Sequence, residues 1–151
     1  MTGNRAEKLF IDSFPDPKIV VLPTREQDMF EHWDCMINGD KYDVKSRKKL
    51  HKRDKDFIED IHVELINVRG NTGWIRGKAD YFAFEQEHDF LIVPREPLYL
   101  MVVNKLTLTH GFGYYQQYGR RGRKDLVTLV PKTDILTLPC KLIKKVCQDQ
   151  M

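Results

Sequence analysis

The sequence predicts an α/β fold in which a central mixed β-sheet, carrying an Asp-bearing hairpin, is flanked by helices. Three observations carry that expectation. Asn38-Gly39 lies between two runs of alternating apolar and polar residues, which is the strongest short-range hairpin signal. Helix-start chemistry occurs at Asn4 and Thr24, and Pro97 suits the first turn of a third helix. Short apolar runs between and after these segments have the length and punctuation of strands. A chain of 151 residues, 41% of them apolar, suits one domain over residues 1–151 with a single core.

The first helix is expected to start at Asn4 as its cap, with Glu7 in the reciprocal capping-box position and Ala6, Leu9, Phe10 and Phe14 as its inner stripe. The run Ile19 to Leu22 is too short to assign. Thr24 and Gln27 form a second capping pair. The hairpin follows, and then Ile61 to Val68, which places Ile61, Val63 and Leu65 on one face of a strand and His62 with Glu64 on the other. Trp74 and Ile75 suit a brief strand after the Gly70 to Gly73 turn, and Lys78 to Phe84 suits a short helix. Phe90 to Val93 reads as a buried strand stopped by Pro94, and Pro97 to Val103 as a helix. Leu126 to Val130 reads as a strand before a helical tail broken near Pro139.

The hairpin gathers the chemistry. With Asn38-Gly39 as a two-residue type I′ turn, Ile37 pairs with Asp40, Cys35 with Tyr42, Asp34 with Asp43 and Trp33 with Val44. Trp33, Cys35, Ile37, Tyr42 and Val44 then share an apolar face, while Asp34, Asp43 and Lys45 share the other. Facing carboxylates have Cβ atoms roughly 5 Å apart and repel unless a positive charge lies between them, a position suited to a divalent cation. A turn at Gly39-Asp40 would instead pair Asp34 with Lys45 as an ordinary ion pair on a solvated face.

A carboxylate, a nine-residue step across a hairpin and then Asp43-Val44-Lys45 resembles the core of the PD-(D/E)XK nuclease superfamily. The flanking segments WDCMINGDKYDVK, GWIRGKADYFAF and FLIVPREPL are most similar to its small phage-type members. Trp33 stands where the motif has its proline. The resemblance implies a restriction-endonuclease-like core and a Mg²⁺-dependent, or Mn²⁺-dependent, DNA endonuclease. It implies Glu7, Asp34, Asp43 and Lys45 as catalytic residues, with metal held by Asp34, Asp43 and the Val44 carbonyl. It further implies a homodimer, as is common among small members, and the host cytoplasm if the chain is phage-encoded. In such nucleases the segment with Lys78 and Asp80 lies near the active site; as a plain helix residue, Asp80 is only a first-turn acid. Glu64 is a further acidic neighbour to consider, although a strand glutamate of this kind usually faces water.

The net charge of +3 is modest, but the cations cluster. Residues 45 to 55 hold seven Lys or Arg against one Asp, and Arg47, Lys48, Lys49 and Lys52 leave the hairpin where a phosphate backbone would pass an active site. Residues 111 to 124 interleave Tyr114, Tyr115 and Tyr118 with Arg120, Arg121, Arg123 and Lys124. Guanidinium forks suit phosphate and tyrosines suit exposed bases, so this loop and Lys78 join the candidate nucleic-acid contacts. Both clusters also read as solvated loops.

No run has the length of a membrane span, and no basic-then-apolar leader opens the chain, so a soluble cytoplasmic protein with no membrane partner is expected. Cys35, Cys140 and Cys147 are odd in number and lack metal-ligand spacing, which favours reduced structural thiols. Two rival readings keep the same residues: a non-catalytic nucleic-acid-binding module with a structural acidic pair, and a partner-binding protein on a degenerate nuclease fold.

Overall fold

The computed structural model describes residues 2–49, 53, 55–66, 72–107, 111, 113–119 and 125–146, with side chains from residue 5 onward. It is a mixed α/β structure. Helix α1 is Thr2–Ser13, strand β1 Val20–Val21, helix α2 Arg25–Glu31, and the hairpin strands are β2 Cys35–Ile37 and β3 Asp40–Lys45. Strand β4 is Ile61–Ile66, and a 3₁₀ turn at Trp74–Arg76 leads to β5 Tyr81–Glu85 and β6 Asp89–Pro94. Then come α3 Arg95–Lys105, β7 Gln117–Tyr118, β8 Leu126–Val130, α4 Lys132–Ile135 and β9 Lys141–Lys144. The central sheet has six strands in the order β1-β2-β3-β5-β6-β9, and a second sheet has three in the order β4-β8-β7. Only the β3–β5 pair in the central sheet is parallel, which makes that sheet mixed.

The hairpin turn forms at Asn38-Gly39, with Ile37 opposite Asp40 and Cys35 opposite Tyr42. Both turn residues have positive φ, 52° at Asn38 and 92° at Gly39, as a type I′ turn requires. Asn38 does a second job: its Oδ1 accepts the amides of Lys18 at 2.8 Å and Ile19 at 3.1 Å, holding the approach to β1 against the turn.

The central strands are covered on both faces. In β5, Phe82 and Phe84 face one layer and Ala83 the other; in β6, Leu91 and Val93 alternate with Phe90 and Ile92. On one side α1 delivers Ala6, Leu9 and Phe10 onto Tyr42, Val44 and Phe90. The Phe10 ring lies 5.1 Å from Tyr42 and 5.2 Å from Phe90, tilted or edge-on as aromatic quadrupoles prefer. On the other side Leu98 and Val102 of α3, with Val63 and Val130 of the second sheet, close over Trp74, Phe82 and Phe84. Each such side chain contributes about 1.5–3 kcal/mol by leaving water.

Several expectations are corrected. Helix α1 already includes Thr2 and Gly3, so Asn4 is inside it and cannot be the non-helical cap, which releases Glu7 from a capping role. The 74–76 segment is a 3₁₀ turn rather than a strand. The stretch 78–84 does not form a helix: Tyr81 to Glu85 pair with β3 on one side and β6 on the other, and two ladders outweigh local preference. The tail after Pro139 is an edge strand, β9, because Lys141 to Lys144 add to the open side of β6. The Thr24–Gln27 capping box forms as expected, with both reciprocal hydrogen bonds. Among the described residues, no helix is long and apolar enough to cross a membrane.

The Asn38-Gly39 turn gives a direct test. A Cβ at Gly39 would meet no heavy atom within 4 Å, so Gly39→Ala adds only backbone strain and is expected to cost about 1–2 kcal/mol. Asn38→Gly keeps the backbone conformation but removes the acceptor for two amides, and is expected to cost about 1 kcal/mol. Urea unfolding midpoints at constant slope would measure both.

Candidate active site

The candidate site grows from the end of β3, where a strand buried on both faces runs out of cover. Register with β5 places Asp43 beside Phe82 and Lys45 beside Phe84, so both side chains point to the Trp74 side of the sheet while Val44 points to α1. Asp43 is 4% exposed, and Lys45 reaches back to it with Nζ 3.2 Å from Oδ1. The same ammonium lies 4.6 Å from the centre of the Trp74 ring, whose face attracts cations. The second Asp43 oxygen, Oδ2, is buried, and no donor reaches it.

Asp34 is not placed as a ladder partner directly across from Asp43. Regular pairing ends at Cys35 and Tyr42, the Asp34 amide donates to the Tyr42 carbonyl at 2.8 Å, and the Asp34 carboxylate accepts the Val44 amide through Oδ2 at 2.7 Å. The chain thus substitutes a carboxylate for the next backbone acceptor. From there Asp34 lies within hydrogen-bonding reach of both Glu7 and Asp43. Glu7 arrives from α1 on the opposite face of the sheet, one turn before the buried Phe10. Trp33 is buried and donates its indole N–H to Glu31 at 2.9 Å, so it packs the site's edge.

Crowded acids in poor solvent hold protons. Burial drives the Asp43 carboxyl well above the usual carboxylate range; the Lys45 ammonium opposes this, and Asp34 adds to the upward push. Burial and the neighbouring Asp34 carboxylate raise Glu7 to about 7. Asp28, on α2, is also raised, by desolvation and then by Asp34. Asp28 was not legible as a site residue, because in REQDMFE it reads as a first-turn acid favoured by the helix dipole. The acids form a series from Glu7 through Asp34 to Asp43. Among the described residues no three His, Cys, Asp or Glu side chains form a ready-made metal-binding group.

Lys45 also lines a groove of about 830 Å³ that opens between the end of β3 and β4. Arg47, Lys48 and Lys49 lie along it, with Arg47 stacked 4.0 Å from the centre of the Phe57 ring and Lys49 at 5.1 Å from the same ring. Tyr118 and Glu64 line it as well. The other sequence candidates are dispersed. Asp80 accepts the Lys41 amide at 2.8 Å, at the opposite end of β3 from Lys45, and serves the fold there. Lys78 is exposed and its amide bonds the Glu31 carbonyl. Tyr115 is committed to the core, with its hydroxyl on Asp134, so it offers no face to a base. Tyr114 is half exposed and donates to Asp60 at 2.7 Å. Lys52, Arg120, Arg121, Arg123 and Lys124 lie outside the described residues, as does Cys147. Cys35 and Cys140 are free thiols, and burial pushes that of Cys35 up to about 12.

The raised acids give a pH signature. A folded chain that retains protons already released by the unfolded chain loses stability as pH rises, here from about 4.5, the ordinary Glu value, through about 7. In EDTA the melting temperature is therefore expected to fall across that window. Asp43→Asn should flatten the fall and raise the melting temperature at pH 8 by ~3 °C, the shift that about 1 kcal/mol produces at this size. A flat wild-type profile would show that these carboxyls are not raised in the folded chain.

No family model, no curated protein and no solved structure matches this chain.

Proposed function

We propose that the chain is a Mg²⁺-dependent DNA endonuclease with a restriction-endonuclease-like core, whose site is the end of β3. The observation that carries this reading is the buried Asp43 oxygen with no donor, set beside Asp34 and followed on the same face by Lys45. A buried carboxylate oxygen without a partner costs about 1–3 kcal/mol or more, which a bound cation or a retained proton would remove. The donor set suits magnesium. Hard oxygen ligands from one or two carboxylates are enough, because Mg²⁺ keeps several of its waters. Asp34, Asp43 and the Val44 carbonyl would hold it, with Mn²⁺ as a substitute.

When bound, the ion supplies charge stabilisation at the scissile phosphate and acidifies a bound water. The chain's own residues do the rest. Lys45 donates one N–H to Asp43 and has two more for the attacking water or a phosphoryl oxygen. Trp74 and the sheet behind it fix the direction of the lysine. Glu7, raised to about 7, can take up a proton at its carboxylate beside the site. Arg47, Lys48 and Lys49 continue from the catalytic strand as a path for the phosphate backbone, and a homodimer would supply a second site for the second strand.

One observation favours the non-catalytic alternative: Lys45 already has Asp43 and Trp74 as partners, as a purely structural lysine would. Metal dependence separates the readings. With Mg²⁺ or Mn²⁺ the protein is expected to cut DNA, and with EDTA to stop. Lys45→Ala should lower the rate by about 10²–10³-fold, as loss of a positioned donor does, while keeping DNA affinity. No cleavage of linear, branched or single-stranded DNA, with no heat of Mg²⁺ binding, would leave the binding module as the reading.

The loop cations are tested separately. Neutralising Arg120, Arg121, Arg123 and Lys124 together should weaken binding and flatten its salt dependence, by about 0.9 in log–log slope for each lost duplex contact or about 0.7 on single strands. An unchanged slope would assign the backbone to Arg47, Lys48, Lys49 and Lys52 instead.

A further inference from the structure

The groove beside Lys45 has a polarity that neither the acidic series nor the basic run explains by itself. One wall is the outgoing end of β3, with Lys45, Arg47 and Lys49. The other is β4 and the residues leading into it, where Val63 enters the core and Glu59, Asp60 and Glu64 line the groove, while Glu85 and Glu87 line it from the end of β5. The two walls are tied where the Ile58 amide donates to the Lys48 carbonyl at 2.8 Å. Its floor is apolar, made by Trp74, Phe84 and Leu91, and the Tyr118 ring lies 6.1 Å from His62 at the β4 side.

A uniform cationic surface would suit any polyanion; this groove suits a molecule that is anionic at one edge, flat and apolar in the middle, and rich in N–H donors at the far edge. Arg47 Cζ lies 4.0 Å from the centre of the Phe57 ring, and a guanidinium held against an aromatic ring can still offer N–H donors to a phosphate. The Glu64 carboxylate would repel phosphate but accept from an exocyclic amine. About 830 Å³ is within the roughly 300–1,000 Å³ that small-molecule sites occupy. We propose that the groove holds one unpaired nucleotide beside the phosphate handled at Lys45, so that the substrate is single-stranded or locally opened DNA rather than continuous duplex. This rests on the nuclease reading. The nucleotide's phosphate lies along Arg47 and Lys49, its base over the apolar floor and Tyr118, and its amine edge toward Glu64.

The test is equilibrium binding of the wild-type protein in EDTA to fluorescent 12-residue oligonucleotides. Single-stranded DNA is expected to bind at least about tenfold more tightly than the blunt duplex of the same sequence, as stacking of one base on an aromatic ring allows. Val127, which lines the groove from β8, provides a plug: Val127→Trp should abolish the single-strand preference by lowering single-strand affinity to about that of the duplex. Tyr118→Ala should weaken single-strand binding about tenfold without filling anything, which covers the case in which the plug unfolds the protein. Glu64→Ala should erase a preference for oligo(dC) over oligo(dT), since thymine has no exocyclic amine. Equal or tighter duplex binding, or a Tyr118→Ala variant with unchanged single-strand affinity, would overturn the proposal, and tighter binding of the ribo-oligonucleotide would overturn its assignment to DNA. Cleavage with Mg²⁺ keeps the two readings apart. If duplex is cut normally by the plugged variant, the groove assignment fails alone; if single strands bind as expected but nothing is cut, the catalytic assignment fails alone.

Discussion

The register of the β2–β3 hairpin is the constraint on which the rest depends. Side chains alternate across a sheet with a period of two, so a one-residue slip would send Asp43 and Lys45 toward α1 and bring Tyr42 and Val44 to the groove side. The two positive-φ residues at the turn prevent this, and Asn38 reinforces them by anchoring the incoming chain at Lys18 and Ile19. Everything else about the candidate site is arranged around a strand whose facing has been settled at its tip.

The opposite end of the sheet's centre is settled by charge. Glu85 ends β5 with a side chain only 2% exposed, bonded to the Arg5 guanidinium, to Lys145 at 2.9 Å and to the Arg47 amide at 3.3 Å. Burial pushes this carboxyl up, but its three donors outweigh burial and hold it below the ordinary value. Asp43, on the neighbouring strand β3, is the contrast. One carboxylate is buried and surrounded by donors, and is a fastener. The other is buried with one oxygen lacking any, which gives it a capacity for something further. Removing a partner from Glu85 would leave a charge stranded in the interior.

Legibility in the sequence followed locality. The hairpin was readable because Asn-Gly demands a particular backbone and the flanking alternation is strict. The Thr24–Gln27 box was readable for the same reason: both partners lie within one turn. The segment Lys78 to Phe84 has a locally helix-like pattern, but from Tyr81 its structure is decided by β3 and β6, strands that a local window does not contain. Lys141 to Lys144 is decided in the same way, with β6 supplying the open edge. Asp34, Asp43 and Lys45 could be picked out by spacing, but not the detail that Asp34 caps the Val44 amide instead of completing the ladder. Asp28 and Glu85 carried no signal, because an acid on an exposed helix or at a strand end has the same appearance whether or not it meets a partner across the fold.

The lone parallel pair in the central sheet has a kinetic consequence. The hairpin is a local structure, able to close in about 1–10 μs, whereas β3 and β5 are separated by the whole of β4 and the 3₁₀ turn and must find each other across a long loop. Until they do, Asp43 has neither Phe82 beside it nor Trp74 near its lysine, and it remains an ordinary hydrated carboxylate. The perturbed chemistry of the site therefore depends on a non-local pairing and not on the hairpin alone. The hairpin by itself holds Asp34, Asp43 and Lys45 in order without the burial that alters the acidity of Asp43.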